Sequence, residues 1–417
     1  MTLAKLAFAS LVSRRLTVGL TIIAIALSVA LFLAVEKLRN GARESFADTI
    51  SDTDLILGAR ASGVQLLLYS VFRIGNATNN ISWASYSDVA SRPEVAWAVP
   101  ISLGDSHRQF RVMGTTSAFF SHYRYRGGRA LTLKDGVVMD DLFDAVVGAD
   151  VARRLGYGVG DPIIVSHGLA SFSDHGNTPF RISGILEKTG TPVDRTVVVS
   201  LEAIEAIHVD WQSGAQRQGA ATPVEVLRTM DLRPKAITAA MLGVNSRLQI
   251  FTLQRDINEY EDEALTAILP GVALQELWGI VGVAETALAG ISVMVVATAL
   301  IGMGAMILAG LSARRREMAI LRAMGAGPGA IISLLLIEAV LMAFTGAILG
   351  LCLLYAGLFL LQPWLDAAYG LFIPITGLTR TEFLVLGAVV GASALVSLIP
   401  AVRAYRLSLA DGMMIKM

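Results

Sequence analysis

Long apolar runs alternate with short charged segments along this chain. Residues 286–313 contain no charged side chain, and between Arg322 and Arg403 the charged residues are Glu338, Asp366, Arg380 and Glu382. A helix needs roughly 20 apolar residues to cross a bilayer core about 30 Å thick. The pattern predicts four transmembrane helices, at residues 16–35, 286–311, 330–361 and 383–402.

The first apolar run has two interpretations, a signal anchor or a cleaved signal peptide. It is longer than the apolar part of most signal peptides, about 7 to 15 residues, and no small-x-small cleavage site follows it. We therefore interpret residues 16–35 as a transmembrane helix that stays in the protein.

The positions of lysine and arginine predict the orientation, because short loops rich in these residues remain in the cytoplasm. Positive residues cluster in segments 1–15, 312–329 and 403–417, whereas the short connection 362–382 has only Arg380. Both termini and segment 312–329 are expected inside. The long segment 36–285 and the loop 362–382 are expected outside.

The sequence of the outer segment predicts a mixed α+β domain over about residues 45–270. Short or alternating apolar runs with glycine and proline punctuation predict strands, at 54–57, 96–101, 109–113, 144–147, 162–165, 179–186 and 195–199. Helices are predicted at 148–155 and after Ser200, which is placed as an N-cap. Residues 212–223 predict a mobile loop. Polar helical segments at 36–46 and 253–265 are predicted to form stalks that continue the spans.

The fold class predicted is an α-helical membrane domain of four transmembrane helices, one plus three, with a large α+β extracytoplasmic domain inserted between helices one and two. Composition agrees, since 54% of the residues are hydrophobic, 16% are charged and the mean hydropathy is +0.60. A net charge of zero gives no indication of nucleic-acid binding, which would need a basic face. The single cysteine, Cys352, excludes a disulfide within the chain.

Segment 312–329 is basic and amphipathic. Arginines alternate with Met318, Ile320, Leu321 and Met324, and Gly325 follows as a helix terminator. Such an apolar stripe flanked by arginines suits either the membrane surface or a groove on a cytoplasmic partner. The residues alone leave both interpretations open.

Five stretches resemble a known family. Residues 314–326, the next span with Glu338 and Gly346, and the closing residues 399–412 resemble the FtsX-like permease domain of MacB-type and Lol-type ABC transporters. Residues 145–161 and 180–186 resemble the periplasmic core domain of the same group. Together these resemblances extend over nearly the whole chain.

The resemblance implies a membrane subunit in a bacterial inner membrane, assembled as a homodimer or with a close paralogue. It implies a coupling helix that sits on two copies of a separate ATPase subunit. The coupling residues it implies are Arg314, Arg315, Arg316, Glu317, Met318, Ile320, Leu321, Arg322, Met324 and Gly325. The chain has no Gly-x-x-x-x-Gly-Lys loop, so ATP and Mg²⁺ are expected on the partner and no cofactor on this chain.

The resemblance leaves the substrate open. The main expectation is a permease subunit that couples ATP hydrolysis to movements of a periplasmic domain, acting on a periplasmic or membrane-embedded substrate. Alternatives are a lipoprotein-releasing subunit, or a signalling scaffold that activates a periplasmic partner. Membrane lipid and a periplasmic adaptor or substrate protein are further expected partners.

Several residues have a functional and a structural interpretation. Glu338 lies in an apolar helix and suits proton coupling or, more simply, a structural hydrogen bond. Gly346 and Gly350, like Gly387 and Gly391, are spaced for close helix packing. The five histidines, all in the outer domain, lack the tight spacing of zinc ligands. We find no spacing that indicates a nucleophile and a base, so no enzyme activity is expected.

Overall fold

A computed structural model of the chain describes residues 3–47, 49–168, 180–212, 215–216, 222–313, 315–369, 373 and 377–406. The chain divides into two compact units. The helical unit comprises Met1–Gly41, Gly282–Trp364 and Ile373–Met417, and the α/β unit comprises Ala42–Val281 and Leu365–Phe372.

The α-helices of the described residues are, in chain order, α1 (Leu3–Ser13), α2 (Arg15–Ala47), α3 (Gly63–Ser70), α4 (Trp83–Ala90), α5 (Ala118–His122), α6 (Ala149–Leu155), α7 (Leu201–His208), α8 (Val224–Leu227), α9 (Ile250–Asn258), α10 (Pro270–Ala313), α11 (Arg315–Ala323), α12 (Pro328–Tyr369) and α13 (Arg380–Arg406).

The strands are β1 (Leu55–Ala59), β2 (Ile81–Ser82), β3 (Val95–His107), β4 (Phe110–Thr115), β5 (Arg124–Tyr125), β6 (Arg129–Ala130), β7 (Leu133–Gly136), β8 (Asp144–Val147), β9 (Pro162–Ile163), β10 (Ser166–His167), β11 (Phe180–Leu186), β12 (Thr196–Ser200), β13 (Trp211–Gln212), β14 (Ala215–Gln216), β15 (Ala236–Ile237), β16 (Ala239–Val244) and β17 (Leu265–Ile268).

One mixed sheet forms the centre of the α/β unit, in the order β17-β1-β16-β3-β4-β12-β8-β11-β7. Strand β12 runs parallel to β4, with Val197 opposite Val112, and β11 runs parallel to β8. The short strands β9 and β10 pair with β11 and β3. Each of the seven strands predicted from the sequence is confirmed, with its ends shifted by a few residues.

Both faces of the sheet are buried. Val146 and Val198 belong to one hydrophobic cluster, whereas their neighbours Val147, Val197 and Val199 belong to another. Successive side chains of a strand point to opposite faces. An uninterrupted run of valines is therefore typical of a strand that is covered on both faces. Helix α7 begins as predicted, because the Ser200 hydroxyl accepts a hydrogen bond from the Ala203 N–H at 3.0 Å.

The second stalk prediction, residues 253–265, is wrong. Helix α9 ends at Asn258, and Leu265 begins β17, which pairs with β1 at the sheet edge. The long helix that continues to the span begins at Pro270 instead, and proline suits the first turn of a helix because its missing N–H has no intrahelical partner there. The first stalk prediction, 36–46, is confirmed, since α2 continues to Ala47.

Four of the described helical segments are long and apolar enough to cross a membrane: Arg15–Ala47, Pro270–Leu311, Gly329–Leu365 and Arg380–Ala404. Each predicted span lies inside one of them. The span in α12 is half buried within the chain, whereas that in α13 is only 22% buried. Helix α12 is therefore the centre of the helical unit. Helix α1, which precedes the first span, was not predicted.

The predicted mobile loop, residues 212–223, falls largely outside the described residues. Its described part contains β14, which pairs antiparallel with β13. The prediction is thus not borne out for Ala215 and Gln216, which lie in a short strand.

Candidate functional site

The described part of the basic segment contains helix α11. Helix α11 ends in a glycine cap, in which Gly325 has a φ of +92° and the Ala326 N–H donates to the Leu321 carbonyl at 2.9 Å. This is the Schellman pattern that closes a helix with a left-handed residue. The next helix, α12, begins at Pro328. The glycine and the proline thus separate α11 from the span that follows.

Two apolar side chains of α11 are exposed. Ile320 and Met324 are 58% and 72% exposed and lie four residues apart, so they share one helix face. Met318 and Leu321 are half-buried and Glu317 is exposed. Arg315, Arg316 and Arg322 lie in the same helix, and Arg314 lies outside the described residues. The described residues do not cover the apolar face formed by Ile320 and Met324.

A buried ion pair lies at the start of the first span. Glu338 in α12 is 1% exposed, and its carboxylate lies 3.6 Å from the Arg14 guanidinium, just before α2. The guanidinium also donates to the Ser10 hydroxyl at 3.2 Å. It packs against α10 at Gly310, where an added Cβ would lie 2.5 Å from Arg14 Nη1. Arg14 therefore joins α1, α10 and α12.

This contact gives Glu338 a structural partner, which sequence reasoning missed. A carboxylate in an apolar helix is costly unless an opposite charge compensates it. Arg14 was considered only as a topology signal, because nothing in the sequence pairs two residues so far apart. A basic residue at the end of a predicted span was the available clue.

A second charged cluster lies at the other end of the first span. Lys37 in α2 lies 3.3 Å from Glu382 in α13, and the Tyr355 hydroxyl of α12 donates to the same carboxylate at 3.0 Å. The Thr379 N–H donates to Glu382 at 2.6 Å, and the Glu382 N–H donates to the Thr379 hydroxyl at 3.4 Å. This reciprocal pair is a capping box. Its signature, Thr-x-x-Glu at 379–382, was readable in the sequence.

The two clusters bracket the apolar part of α2. From residue 14 to residue 37 a helix rises about 35 Å, close to the thickness of a bilayer core. Charges at these depths can reach the lipid interface. The first span is therefore held to α12 near one end, and to α12 and α13 near the other.

The two glycine pairs differ in their surroundings. An added Cβ at Gly346 would lie 2.9 Å from Ile25 Cβ, and one at Gly350 would lie 2.6 Å from the Ala26 carbonyl oxygen. These glycines allow α12 to approach α2 closely. A Cβ at Gly387 or Gly391 would have no atom of another described element within 4 Å. In α13, Ser393, Ser397 and Ala401 are buried instead.

The histidines serve structural contacts. His107 is buried, and its ring nitrogens lie 2.6 Å from the Ile164 carbonyl and 2.8 Å from the Tyr157 hydroxyl. His122 stacks on Trp97, and His208 lies 3.7 Å from Asp105. His167 lies in β10, and His175 lies outside the described residues. Within the described ranges, no three potential metal ligands meet.

Comparison with known proteins gives two family matches. Residues 18–235 match the family described as MacB-like periplasmic core domain, and residues 289–409 match the family described as FtsX-like permease C-terminal. The first match alone extends over more than half of the chain. The search of curated proteins gave no match.

Two solved structures are similar. The periplasmic region of MacB from Actinobacillus actinomycetemcomitans is 10% identical, covers 55% of this chain and 94% of its own, and has a TM-score of 0.34. The extracellular domain of the noncanonic ABC-type transporter YknZ from Gram-positive bacteria is 14% identical, covers 51% and 98%, and has a TM-score of 0.29. Because both TM-scores are low, the family assignment rests on the two family matches and not on these structures.

Proposed function

The chain belongs to the FtsX-like permease family with a MacB-like periplasmic core domain, and we propose that it couples a separate ATPase to movements of its outer domain. Members of this family are membrane subunits of ABC transporters and are generally not enzymes. In the proposed assembly ATP and Mg²⁺ bind to the partner, and this chain receives the movement that hydrolysis produces.

The observation that supports coupling most directly is the exposed apolar face of α11. Ile320 lies in α11 and Met324 directly follows it, at the end that Gly325 separates from α12. Apolar side chains at i and i+4 on a short helix are typical of helix-in-groove recognition. We therefore favour a groove on the ATPase over the lipid surface as the place where this face is buried.

The path of the movement runs through the helical unit. In our proposal, a shift of α11 displaces α10 and α12, between which it lies in the chain. The ion pair of Arg14 with Glu338 and the contacts of Lys37 with α13 make α2 follow. Helices α2 and α10 are also the segments of the chain that lead to and from the α/β unit, so both connections to the outer domain respond. The outer domain then acts on a substrate or partner outside the membrane.

We further propose a bacterial inner-membrane location with one span before and three after the outer domain, both termini in the cytoplasm, and a dimer of this chain or a close paralogue. The arginine distribution supports the orientation. The open face at Gly387 and Gly391 supports contact with a second copy, because glycines permit close helix approach.

The test of coupling is co-purification of the ATPase with the detergent-solubilised chain. Ile320→Asp places an unpaired charge at the centre of the proposed interface, so bound ATPase and Mg-ATP hydrolysis in the purified complex should fall at least tenfold. The matched control is Leu248→Asp, which changes a leucine that is 91% exposed in the α/β unit. Full ATPase binding by folded Ile320→Asp would refute the coupling role of α11.

A further inference from the structure

A polar cavity of about 320 Å³ opens in the α/β unit beside the loop between α3 and β2. The loop supplies Arg73, Asn76 and Asn79, and the neighbouring strands supply Leu103 and Arg111. Tyr69 of α3 completes this part of the wall. The cavity is separate from α11 and from the charged clusters of the helical unit.

The charge of the cavity wall is positive. Its two ionisable cations are Arg73 and Arg111, and none of the described residues that line it is acidic. Burial raises the pKa of Tyr69 to about 12, so its hydroxyl is neutral at physiological pH. Asparagine amides and a threonine hydroxyl provide the remaining polar groups. The wall therefore has more hydrogen-bond donors, which suit an anion, than acceptors, which would suit a cation.

Arg73 has two nitrogen atoms for which the described residues offer no acceptor. Its Nε and Nη1 are buried and have no hydrogen-bond partner among those residues, while Nη2 donates to the Met113 sulfur at 2.6 Å. Burial lowers the pKa of Arg73 to about 10. Tyr123 opposes this shift by raising the pKa, whereas Arg111 lowers it further. The guanidinium is thus still charged at neutral pH. Buried charges in proteins are normally paired, and none of the described residues that line the cavity supplies an acidic partner for this one.

The backbone holds Arg73 in this position at a conformational cost. Arg73 has a φ of +60°, a left-handed conformation that few residues other than glycine adopt. Arg111 fixes the loop from the other side, donating to the Gly75 carbonyl at 2.7 Å and to the Asn76 side-chain oxygen at 2.8 Å. A strained residue that also buries an unpaired charge is more typical of a binding site than of a packing element.

We propose that this cavity binds an oxyanion, the carboxylate or phosphate group of a ligand of the outer domain. Guanidinium groups recognise both through charge-assisted hydrogen bonds. The anion would supply the acceptor that Arg73 lacks, and the neutral amides around it would contribute to selectivity. This inference does not depend on the ATPase, so it and the coupling proposal can fail independently.

The test uses the full-length chain in detergent, titrated with sodium phosphate or sodium acetate against sodium chloride of equal ionic strength. Calorimetry and the unfolding temperature are measured. We expect saturable binding of phosphate or acetate, and the anion that binds identifies the preferred group. Arg73→Met should weaken binding at least tenfold, whereas Arg233→Met, a change of an exposed arginine elsewhere in the unit, should not.

The unfolding temperature without ligand distinguishes a binding role of Arg73 from a structural one. Because Arg73→Met removes a buried charge, its unfolding temperature without ligand should be unchanged or higher than that of the parent chain. Addition of the anion should no longer raise the unfolding temperature of this variant. If Arg73→Met does not fold, Arg73→Lys keeps the charge and should bind detectably but more weakly. Absence of binding to the parent chain, or parental affinity in folded Arg73 variants, would overturn the proposal.

Discussion

Residue by residue, the helical unit depends on a few charges that lie among apolar side chains. Glu338 is the clearest case, because its carboxylate is buried and Arg14 is close enough to compensate it. Removal of one partner from such a pair leaves a charge in an apolar environment, which costs more than removal of both. The effects of changing Arg14 and Glu338 on stability are therefore expected to be non-additive, unlike those of two independent surface residues.

Arg14→Met should destabilise the chain by about 3 kcal/mol, since the buried Glu338 carboxylate would lose the cation that lies 3.6 Å from it. The double variant Arg14→Met/Glu338→Met should lose less than the sum of the two single changes. Thermal unfolding of the four proteins in one detergent measures this coupling as a double-mutant cycle. Additive effects would show that the two groups do not interact.

Glu263 provides a pH-dependent contact in the α/β unit. Its carboxylate accepts hydrogen bonds from the Ser82 N–H at 3.0 Å and from the Ser82 hydroxyl at 2.8 Å. Burial tends to raise the pKa of Glu263, but the hydrogen bonds from Ser85 and Ser82 outweigh it and lower this pKa. The carboxylate form is therefore favoured in the folded state.

A lowered carboxyl pKa stabilises the folded state above the ordinary pKa, and this contribution disappears as the pH falls through the lowered value. Glu263→Gln should thus cost about 1 kcal/mol at pH 7 and much less at pH 3. Urea unfolding of both proteins at the two pH values tests this. An equal difference at both pH values would mean that the charge of Glu263 has no part in the contact.

Among the elements, α11 is the one whose exposed surface calls for a partner. Leu321 belongs to its apolar stripe, but it is half-buried within the chain and its carbonyl accepts the helix-capping hydrogen bond, so Leu321→Asp could also disturb folding. Met324→Asp changes a more exposed side chain of the same stripe. It therefore separates loss of partner binding from loss of folding.

Met324→Asp should lower ATPase co-purification severalfold without changing the unfolding temperature. Arg322→Ala should have a milder effect that depends on salt, because exposed ion pairs contribute about 0 to 1 kcal/mol. Co-purification at two salt concentrations compares the variants. If Met324→Asp retains full ATPase binding and Arg322→Ala abolishes it, charge and not apolar burial holds the interface.

The elements show where sequence reasoning succeeds. Strands such as β8 and β12 were predictable, because buried valine runs between glycines and prolines have few alternatives. The stalk before the second span was mistaken, because the helical character of residues 253–265 does not reveal that the chain then pairs with β1 at the sheet edge before the long helix begins at Pro270. The contacts of Arg14, Lys37 and Glu382 could not be found from periodicity, since packing brings together residues that are distant along the chain.

At the scale of the whole molecule, orientation is the first proposal to test. With the exposed native Cys352 replaced by alanine, a Leu248→Cys variant should react with a membrane-impermeant maleimide added outside. A Met324→Cys variant should react only after the membrane is permeabilised. Both positions are highly exposed, so access decides the result. Reaction of the two in the reverse order would invert the topology and the mechanism based on it.

Assembly is tested by the contrast between the two glycine pairs. Gly350→Ile would drive its side chain into α2, where the Ala26 carbonyl is 2.6 Å from an added Cβ, so the chain itself should be strongly destabilised. An added Cβ at Gly391 would have no atom of another described element within 4 Å, so Gly391→Ile should fold normally but disturb contact with a second copy. Native mass in detergent should show two copies for the parent chain and mainly one for Gly391→Ile. Two copies in both, with unchanged unfolding temperatures, would place the interface between copies on another face than that of Gly387 and Gly391.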